Sequence, residues 1–523
     1  MDFSMVVTTL MVLVGSILFD WWYFLKLRGK RLPPGPSPWP IVGAIPQLVM
    51  HGGGATKLAQ SLQSKYGKIL TVWLGKTPMI FVCDSELAYD ALVKQGSYFS
   101  NRVKNSSAAS LSSGFRILTT SEGAWTVALR KNIITYMLGS SRVRAFKPLR
   151  DRAYEDIVND VKSVAAAAED GVAQVNLKSV AYDRVFRFML VLTFGVEPEE
   201  NLIQEIRLAL GERSRLGFKL NLGDYLSFWR IFEVKHRQDL KHLQTRFIEL
   251  YSPLIERLRR FQGDESVIGG NYIETLFQLE KDFPDFINES VITSLCSEFL
   301  SIANHATSLA MDTTLALLCE HPEAKEKLYR EIEAVVGRRA VDESDVPKLP
   351  YLSAVVKESL RVGNPGLSTL PHATSELREL GGYDIPTDAV IIFVLGSFHL
   401  DPTHWSEPSI FKPERFLEND LDLLGTKNFS FLPFGAGRRV CPASQLVVLE
   451  MSVVVARLVQ TFQWEKVPNV KNTGIGNIEF QLLRLCPEVP DISPRDEVNV
   501  PLYEPEFLGE SSNNYQQYVN LVD

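Results

Sequence analysis

The chain has 523 residues, of which 45% are hydrophobic and 22% are charged, with a formal net charge of −7. Its lysines and arginines form no stripe with interleaved aromatic residues, so nucleic acid is not expected as a partner. The five cysteines, Cys83, Cys296, Cys319, Cys441 and Cys486, lack CxxC spacing; this argues against a disulfide framework or a structural zinc site and fits a reducing, cytosolic environment.

The N-terminal segment is more apolar than the rest of the chain. Met5 to Phe19 is almost wholly apolar, and an aromatic cluster and four basic residues follow it. A bilayer span needs roughly 20 residues, which is reached if Asp20 lies at the membrane interface. We therefore predict that residues 1–27 form a single transmembrane helix in the endoplasmic reticulum, with the following chain in the cytosol. A cleaved signal peptide is the alternative, but basic residues follow the apolar run and none precedes it.

Proline and polar residues mark the predicted boundaries beyond this helix. Residues 28–40 are basic and proline-rich, and such a run is stiff and cannot be helical, so we predict a hinge. Residues 41–490 are predicted to form one large domain. Residues 491–523 are acidic and polar, which predicts a poorly ordered tail.

Within the large domain, periodicity and capping residues predict mostly helices. Two strands, 69–74 and 78–82, are expected to follow a helix at 56–66, and residues 101–122 are expected to form a mobile loop. A helix capped by Asp84 is predicted to run to residue 94. Successive helices are predicted from 124 to 320, and the last of them is long and capped by Asn288. Three more helices are predicted at 323–336, 351–362 and 445–462. Short strands and turns are expected from 363 to 413. The predicted fold class is mainly α with a minor β part (α+β).

The segment FLPFGAGRRVCPA, at 431–443, combines glycines, arginines and one cysteine. Gly435 and Gly437 permit a tight loop with exposed amides. The helix predicted just after Cys441 points its positive end at the sulfur, which stabilises a thiolate. Phe434 is suited to shield that sulfur from water, and Arg439 adds a fixed positive charge. The competing interpretation is an inert buried thiol.

This segment resembles the haem-binding signature of the cytochromes P450, Phe-x-x-Gly-x-Arg-x-Cys-x-Gly. Phe434, Gly437, Arg439 and Cys441 match it, and Ala443 replaces the last glycine. The resemblance implies a cytochrome P450 fold, haem b with Cys441 as the axial iron ligand, and Arg439 near the haem propionates. Residues 41–490 would then be the catalytic domain.

Two further segments resemble elements of the same family. Glu358 and Arg361 lie three residues apart on a predicted helix and can pair, as in the family's Glu-x-x-Arg element. Arg415 lies in a stretch similar to its Pro-Glu-Arg-Phe element. The resemblance implies a buried network of these three charges that braces the cysteine loop. An ordinary surface ion pair is the alternative.

The long predicted helix carries Ala303-Asn304-His305-Ala306-Thr307-Ser308, similar to the family's Ala/Gly-Gly-x-Asp/Glu-Thr-Thr/Ser. Thr307 matches the catalytic hydroxyl that helps to deliver protons. Ala306 stands where the family has an acid, so another proton route is required. The alternative for Thr307 is a hydrogen bond within its own helix.

The resemblance also indicates residues for the haem propionates. Trp125 is followed by Arg130, one position later than the family's Trp-x-x-x-Arg spacing, and this offset turns the arginine by about 100° around a helix. His372 stands where the family commonly has arginine. A satisfied core histidine is the competing interpretation.

The resemblance implies a monooxygenase that inserts one oxygen atom from dioxygen into a small hydrophobic or aromatic substrate, in fungal-type secondary metabolism. No flavin or nicotinamide fingerprint is present in the sequence, so electrons are expected from a separate NADPH-cytochrome reductase. The pocket is expected from the segments 101–122, 220–229, 366–370 and 474–478 and the helix near Asn304. Two alternatives remain: a haem-thiolate isomerase or dehydratase that needs no reductase, and a non-catalytic membrane-anchored binding protein.

Overall fold

The structure is a computed structural model that describes residues 3–50, 54–167, 173–218, 221–260, 268–419, 421–425, 429–466 and 480–485. The predicted tail at 491–523, the predicted pocket segment 474–478 and Cys486 lie outside these ranges.

Helices dominate the described residues, and short strands form a minor part, so the predicted α+β class is confirmed. The α-helices are α1 (Phe3–Arg28), α2 (Ile45–Met50), α3 (Ala55–Tyr66), α4 (Ser85–Tyr89), α5 (Ser106–Leu111), α6 (Gly123–Tyr136), α7 (Ser140–Ala145), α8 (Lys147–Ala166), α9 (Leu177–Phe194), α10 (Glu200–Phe218), α11 (Leu222–Tyr225), α12 (Val234–Arg260), α13 (Tyr272–Asp282), α14 (Glu289–Glu320), α15 (Pro322–Val335), α16 (Pro350–Val362), α17 (Leu395–His399), α18 (Arg415–Glu418) and α19 (Ser444–Thr461). The strands are β1 (Ile69–Leu74), β2 (Thr77–Val82), β3 (Asn101–Arg102), β4 (Ala173–Val175), β5 (His372–Ala373), β6 (Arg378–Leu380), β7 (Tyr383–Ile385), β8 (Val390–Phe393), β9 (Phe462–Lys466) and β10 (Phe480–Leu485).

The largest sheet has the strand order β1-β2-β8-β5-β3. β1 and β2 form the predicted antiparallel hairpin, with Leu74 opposite Thr77. β8 adds parallel to β2, and β5 and β3 continue antiparallel. The sheet therefore joins short strands that are far apart in the chain, from β1 at residue 69 to β8 ending at residue 393.

Helix α14 runs through the helical core and packs against α9, α12, α16 and α19. It starts where the sequence predicts, because the Asn288 side chain accepts a hydrogen bond from the Val291 N–H at 3.1 Å. Among the helices whose side chains are described, α19 is long and apolar enough to cross a membrane, but 72% of it is buried. Burial of this degree is typical of a core helix, so α19 is not a membrane span.

Two segments differ from the sequence predictions. The proline-rich stretch is docked on the domain and is not a free hinge: the Pro34 carbonyl accepts from the Thr71 N–H, and a side chain at Gly35 would collide with the Thr71 carbonyl. The predicted mobile loop at 101–122 contains the helix α5, whose Ser106 N–H and hydroxyl both donate to Asp224. Tertiary hydrogen bonds fix both segments, and such bonds leave no periodic signal in the sequence.

Candidate active site

The cysteine loop is built as its glycines predict. Gly435 and Gly437 have φ values of 70° and 67°, a region that side chains disfavour, and a Cβ at 437 would collide with the Leu92 carbonyl. The Cys441 N–H donates to the Phe434 carbonyl at 3.0 Å and closes the loop. Helix α19 begins three residues after Cys441, as predicted.

Opposing influences act on the Cys441 thiol, which is partly buried. Burial raises its pKa, whereas the Ala443 N–H and the positive charge of Arg130 lower it. An N–H donor and a nearby positive charge both stabilise an anionic sulfur, and a bound metal ion would offset the cost of burying that charge.

Two predicted cations reach this loop. Arg130 donates to the Val440 carbonyl at 2.8 Å, so the one-residue offset in the sequence does not turn it away. Arg439 donates to three backbone carbonyls, those of Ser100, Leu118 and Ser121.

Arg102 is a third cation at this place, and the sequence analysis did not identify it. It lies in β3 directly opposite His372 in β5, and its guanidinium donates to the Leu370 and Pro371 carbonyls at 2.8 and 3.0 Å. The His372 ring contacts the Phe99 carbonyl through Nδ1 at 2.7 Å. No local pattern in the sequence marks Arg102, because the β3–β5 pairing that positions it joins residues 270 positions apart in the chain.

In the described part of the chain, no carboxylate lies within ion-pair distance of Arg102, Arg130 or Arg439. The charge of Glu298 acts on Arg102 and Arg439 from farther away, and the Glu122 carboxylate, which also attracts Arg439, pairs with Lys104. The buried Nε of Arg102 has no acceptor. Burial, with repulsion from Arg439 and Arg130, lowers the pKa of Arg102 to about 9. Burial and repulsion from Arg130 lower that of Arg439 to about 10. Burial also lowers the pKa of His372, so this ring is neutral. The cluster therefore favours an anionic ligand.

The structure brings the three residues of the predicted charge network together. The Arg361 guanidinium donates to both Glu358 oxygens at 2.7 Å, and Arg415 donates to Glu358 Oε1 at 3.3 Å. Glu358 and Arg361 have no exposed side-chain surface, so the alternative of a surface ion pair is wrong. Backbone carbonyls of His399, Pro408, Ser406, Glu407 and Ile410 take up the remaining guanidinium N–H groups.

Two side chains connect this network to the cysteine loop. His399, whose carbonyl accepts from Arg361, accepts with its ring Nε2 from the Leu432 N–H at 3.1 Å. Burial, followed by the charge of Arg361, lowers the pKa of His399 to about 3, so the ring stays neutral and can accept. Asn364 donates to the Pro433 carbonyl at 3.1 Å.

Helix α14 exposes one strip of side chains near its middle. Ile302 is 50% exposed and Ala306, one turn later, is also exposed, while Ala303 and Phe299 on the same side are partly buried. Thr307 is only 2% exposed and lies about 100° around the helix from Ala306. Thr307 also lies one helical turn after Ala303, so it is at the buried border of this strip. Its catalytic role stays a prediction.

The opposite side of α14 is polar and buried. The Asn304 amide has no hydrogen-bond partner for either atom within the described residues. The His305 ring lies 4.9 Å from the Tyr182 ring, and burial, followed by the charge of Lys178, lowers the pKa of His305 to about 4. These groups belong to the α9–α14 packing surface and not to the exposed strip.

The described contacts of Trp125 are with residues outside the cation cluster. Its indole N–H donates to the Arg116 carbonyl at 2.9 Å, and its ring stacks on Phe286 at 5.5 Å. A contact of Trp125 with a haem propionate stays a prediction.

The cytochrome P450 family model matches residues 33–484. The chain belongs to the cytochrome P450 family. It is 31% identical over 487 residues to cytochrome P450 89A9 of Arabidopsis thaliana, covering 88% of this chain and 93% of that protein. It is 30% identical over 475 residues to trans-cinnamate 4-monooxygenase of Zinnia elegans, with the same two coverages. A zebra fish cytochrome P450 solved with progesterone shares the fold, with a TM-score of 0.67 and 22% identity over 81% of this chain and 96% of that one.

As a cytochrome P450 the chain is a haem-thiolate monooxygenase. The residues fit this cofactor, because a cluster of cations that form no ion pair with a carboxylate in the described residues accompanies a cysteine whose sulfur faces the Ala443 N–H and the charge of Arg130. The two relatives named above are plant proteins, which the fungal-type expectation did not foresee.

Proposed function

We propose that Cys441 is the axial ligand of the haem iron and that Arg102, Arg130, His372 and Arg439 hold the haem propionates. The main support for this proposal is the cluster of cations beside the cysteine loop, which form no ion pair with a carboxylate in the described residues. Haem brings two carboxylates to cations that otherwise repel one another. Gly435 and Gly437 shape the loop, and Phe434 covers the sulfur.

When bound, haem supplies the iron chemistry that activates dioxygen. The chain's residues provide the surroundings. The Ala443 N–H and Arg130 stabilise the negative charge of the sulfur, and Glu358, Arg361 and Arg415 fix the loop through His399. Preorganisation of this kind matters because partners beyond the ligand itself change metal-site affinity or activity by about 10–100-fold.

We propose that the substrate is a small hydrophobic or aromatic molecule. The strip formed by Phe299, Ile302, Ala303 and Ala306 is wholly apolar, and Ile302 and Ala306 are exposed near the middle of a largely buried helix. Similarity to a trans-cinnamate 4-monooxygenase is consistent with an aromatic substrate from secondary metabolism.

Electrons would come from NADPH through a separate reductase, and α1 would anchor the protein in the endoplasmic reticulum membrane with the catalytic domain in the cytosol. The described part of the predicted anchor, residues 3–27, lies within the 26-residue helix α1, which is long enough to span a bilayer. Microsomes that contain the full chain should convert substrate only when NADPH, dioxygen and a cytochrome reductase are all present. Turnover without the reductase or dioxygen would contradict this proposal.

A second candidate is an isomerase or dehydratase that acts on a hydroperoxide without a reductase. Ala306, which stands before Thr307 where the family has an acid, favours it, whereas the retained Thr307 opposes it. Conversion of a fatty-acid hydroperoxide without NADPH would select this candidate.

We propose that Thr307 helps to deliver protons, as the sequence predicts. Replacement of Thr307 by valine should then reduce turnover by about 10²–10⁴-fold, the usual contribution of such a group. The rate and the fraction of NADPH oxidation that yields product should be measured together, with Ser308→Ala as the control. A fall of less than about tenfold in Thr307→Val, or an equal fall in Ser308→Ala, would contradict this role.

Replacement of Arg102 by methionine should weaken haem retention by about 10–100-fold, because it removes a buried cation from the propionate site. Haem loss to excess apomyoglobin measures this effect without any substrate. Arg116→Met is the control, since this arginine is on the same loop and donates to the Phe286 carbonyl at 3.3 Å. Equal haem loss from both variants would show that Arg102 does not hold haem.

A further inference from the structure

Asp20 is the single acidic residue of α1, and it is buried. An ionisable residue within a membrane-length helix is costly and generally has a partner. Here the Asp20 Oδ2 accepts from the Ser227 N–H at 2.7 Å, and Lys76 Nζ lies 3.1 Å from Oδ1. Lys76 also donates to the Ser227 hydroxyl. Asp20 is predicted from the sequence to lie at the membrane interface, and the structure adds that it is paired within the protein.

This group, Asp20, Lys76 and Ser227, joins three distant elements. Lys76 is in the turn between β1 and β2, and Ser227 begins a 3-10 helix, Ser227–Phe232, in the segment between α10 and α12. The turn is itself held on this segment, because the Lys76 N–H donates to the Tyr225 carbonyl at 3.3 Å. One helical turn beyond Asp20, the Phe24 ring packs edge-on against Trp73 of β1 at 4.8 Å. The C-terminal half of α1 is therefore fixed to the catalytic domain.

A continuous apolar surface results from this docking. On α1, Trp22 is 55% exposed, and Leu18 and Phe19 are also exposed; on the adjoining 3-10 helix Phe232 is 63% exposed, as are Trp229 and Ile231 to a lesser degree. Several exposed tryptophan and phenylalanine side chains on two contacting elements are unusual on a soluble surface. The Lys26 ammonium lies over the Trp22 ring, 5.5 Å from its centroid. Aromatic rings beside basic residues are the composition of a membrane interface.

We propose that the Asp20–Lys76–Ser227 group locks α1 to the 3-10 helix 227–232, so that the aromatic side chains of this helix enter the interfacial layer of the lipid bilayer. The inference rests on the proposed membrane anchor. Asp224 in the same segment accepts hydrogen bonds from Ser106 of α5. The lock therefore connects the depth of the 3-10 helix in the bilayer to residues 106–111, which are predicted to line the substrate pocket.

The test uses the full-length holoprotein in phosphatidylcholine vesicles whose acyl chains carry bromine close to the headgroup. Subtracting the fluorescence of Trp229→Phe from that of the wild type gives the emission of Trp229. Bromine near the headgroups should quench this emission. Asp20→Leu and Lys76→Met should both still float with the vesicles, since α1 stays apolar, while quenching of Trp229 falls at least about twofold. Lys65→Met, a lysine outside the lock, is the matched control and should behave as the wild type.

The outcomes separate the lock from the anchor. A wild type that does not float with vesicles would contradict the membrane anchor and the inference with it. Flotation with unquenched Trp229 in the wild type, or with quenching unchanged in both Asp20→Leu and Lys76→Met, would overturn the lock alone.

Discussion

Replacement of Glu358 by alanine should destabilise the protein by about 3–5 kcal/mol, the usual consequence of removing one partner of a buried ion pair. Arg361 would be left fully buried without its carboxylate, and Arg415 would lose the same partner. The Lys412 N–H would also lose its acceptor. Because Arg361 holds the His399 backbone, the cysteine loop should loosen as well, and haem content should fall.

Urea unfolding of the variant and the wild type measures this loss. The matched control is Glu326→Ala, which breaks a helical ion pair with Arg330 at the same N–O distance of 2.7 Å. Both partners of that pair are largely exposed, so the expected loss is about 0–1 kcal/mol. A similar loss in both variants would show that the buried network does not stabilise the fold.

Replacement of Cys441 by serine should reduce monooxygenase turnover by more than about 100-fold. Changes in the residues that only support a metal ligand cost about 10–100-fold, and this change removes the proposed ligand. A serine hydroxyl stays protonated at neutral pH and cannot supply the anionic sulfur. The fold should persist, since the side chain is half-buried and nearly the same size.

Haem content, circular dichroism and turnover should be recorded on the same preparation of Cys441→Ser. Cys319→Ala is the control, because that thiol is buried at the end of α14 and burial raises its pKa, so it stays neutral. An active Cys441→Ser protein, or an equal loss of turnover in Cys319→Ala, would exclude Cys441 as the ligand.

Short-range signals in the sequence predicted most of the secondary structure correctly. The β1–β2 hairpin follows from β-rich runs around Gly75-Lys76, and the start of α14 follows from the Asn288 cap. The tight turn before Cys441 follows from the positive φ values that only glycine adopts easily. Each of these features depends on residues that are close together in the chain.

The features that the sequence did not predict depend on distant contacts. Arg102 becomes part of the cation cluster only through the pairing of β3 with β5, and Asp20 is buried only because Lys76 and Ser227 lie beside it.

The central claim is that Cys441 binds haem iron as a thiolate. The most direct test is the carbon monoxide difference spectrum of the reduced wild-type protein in microsomes. We expect a strongly red-shifted Soret band, because a thiolate ligand would donate electron density to the iron. A band at the shorter wavelength typical of a neutral ligand, from folded protein that retains haem, would contradict it.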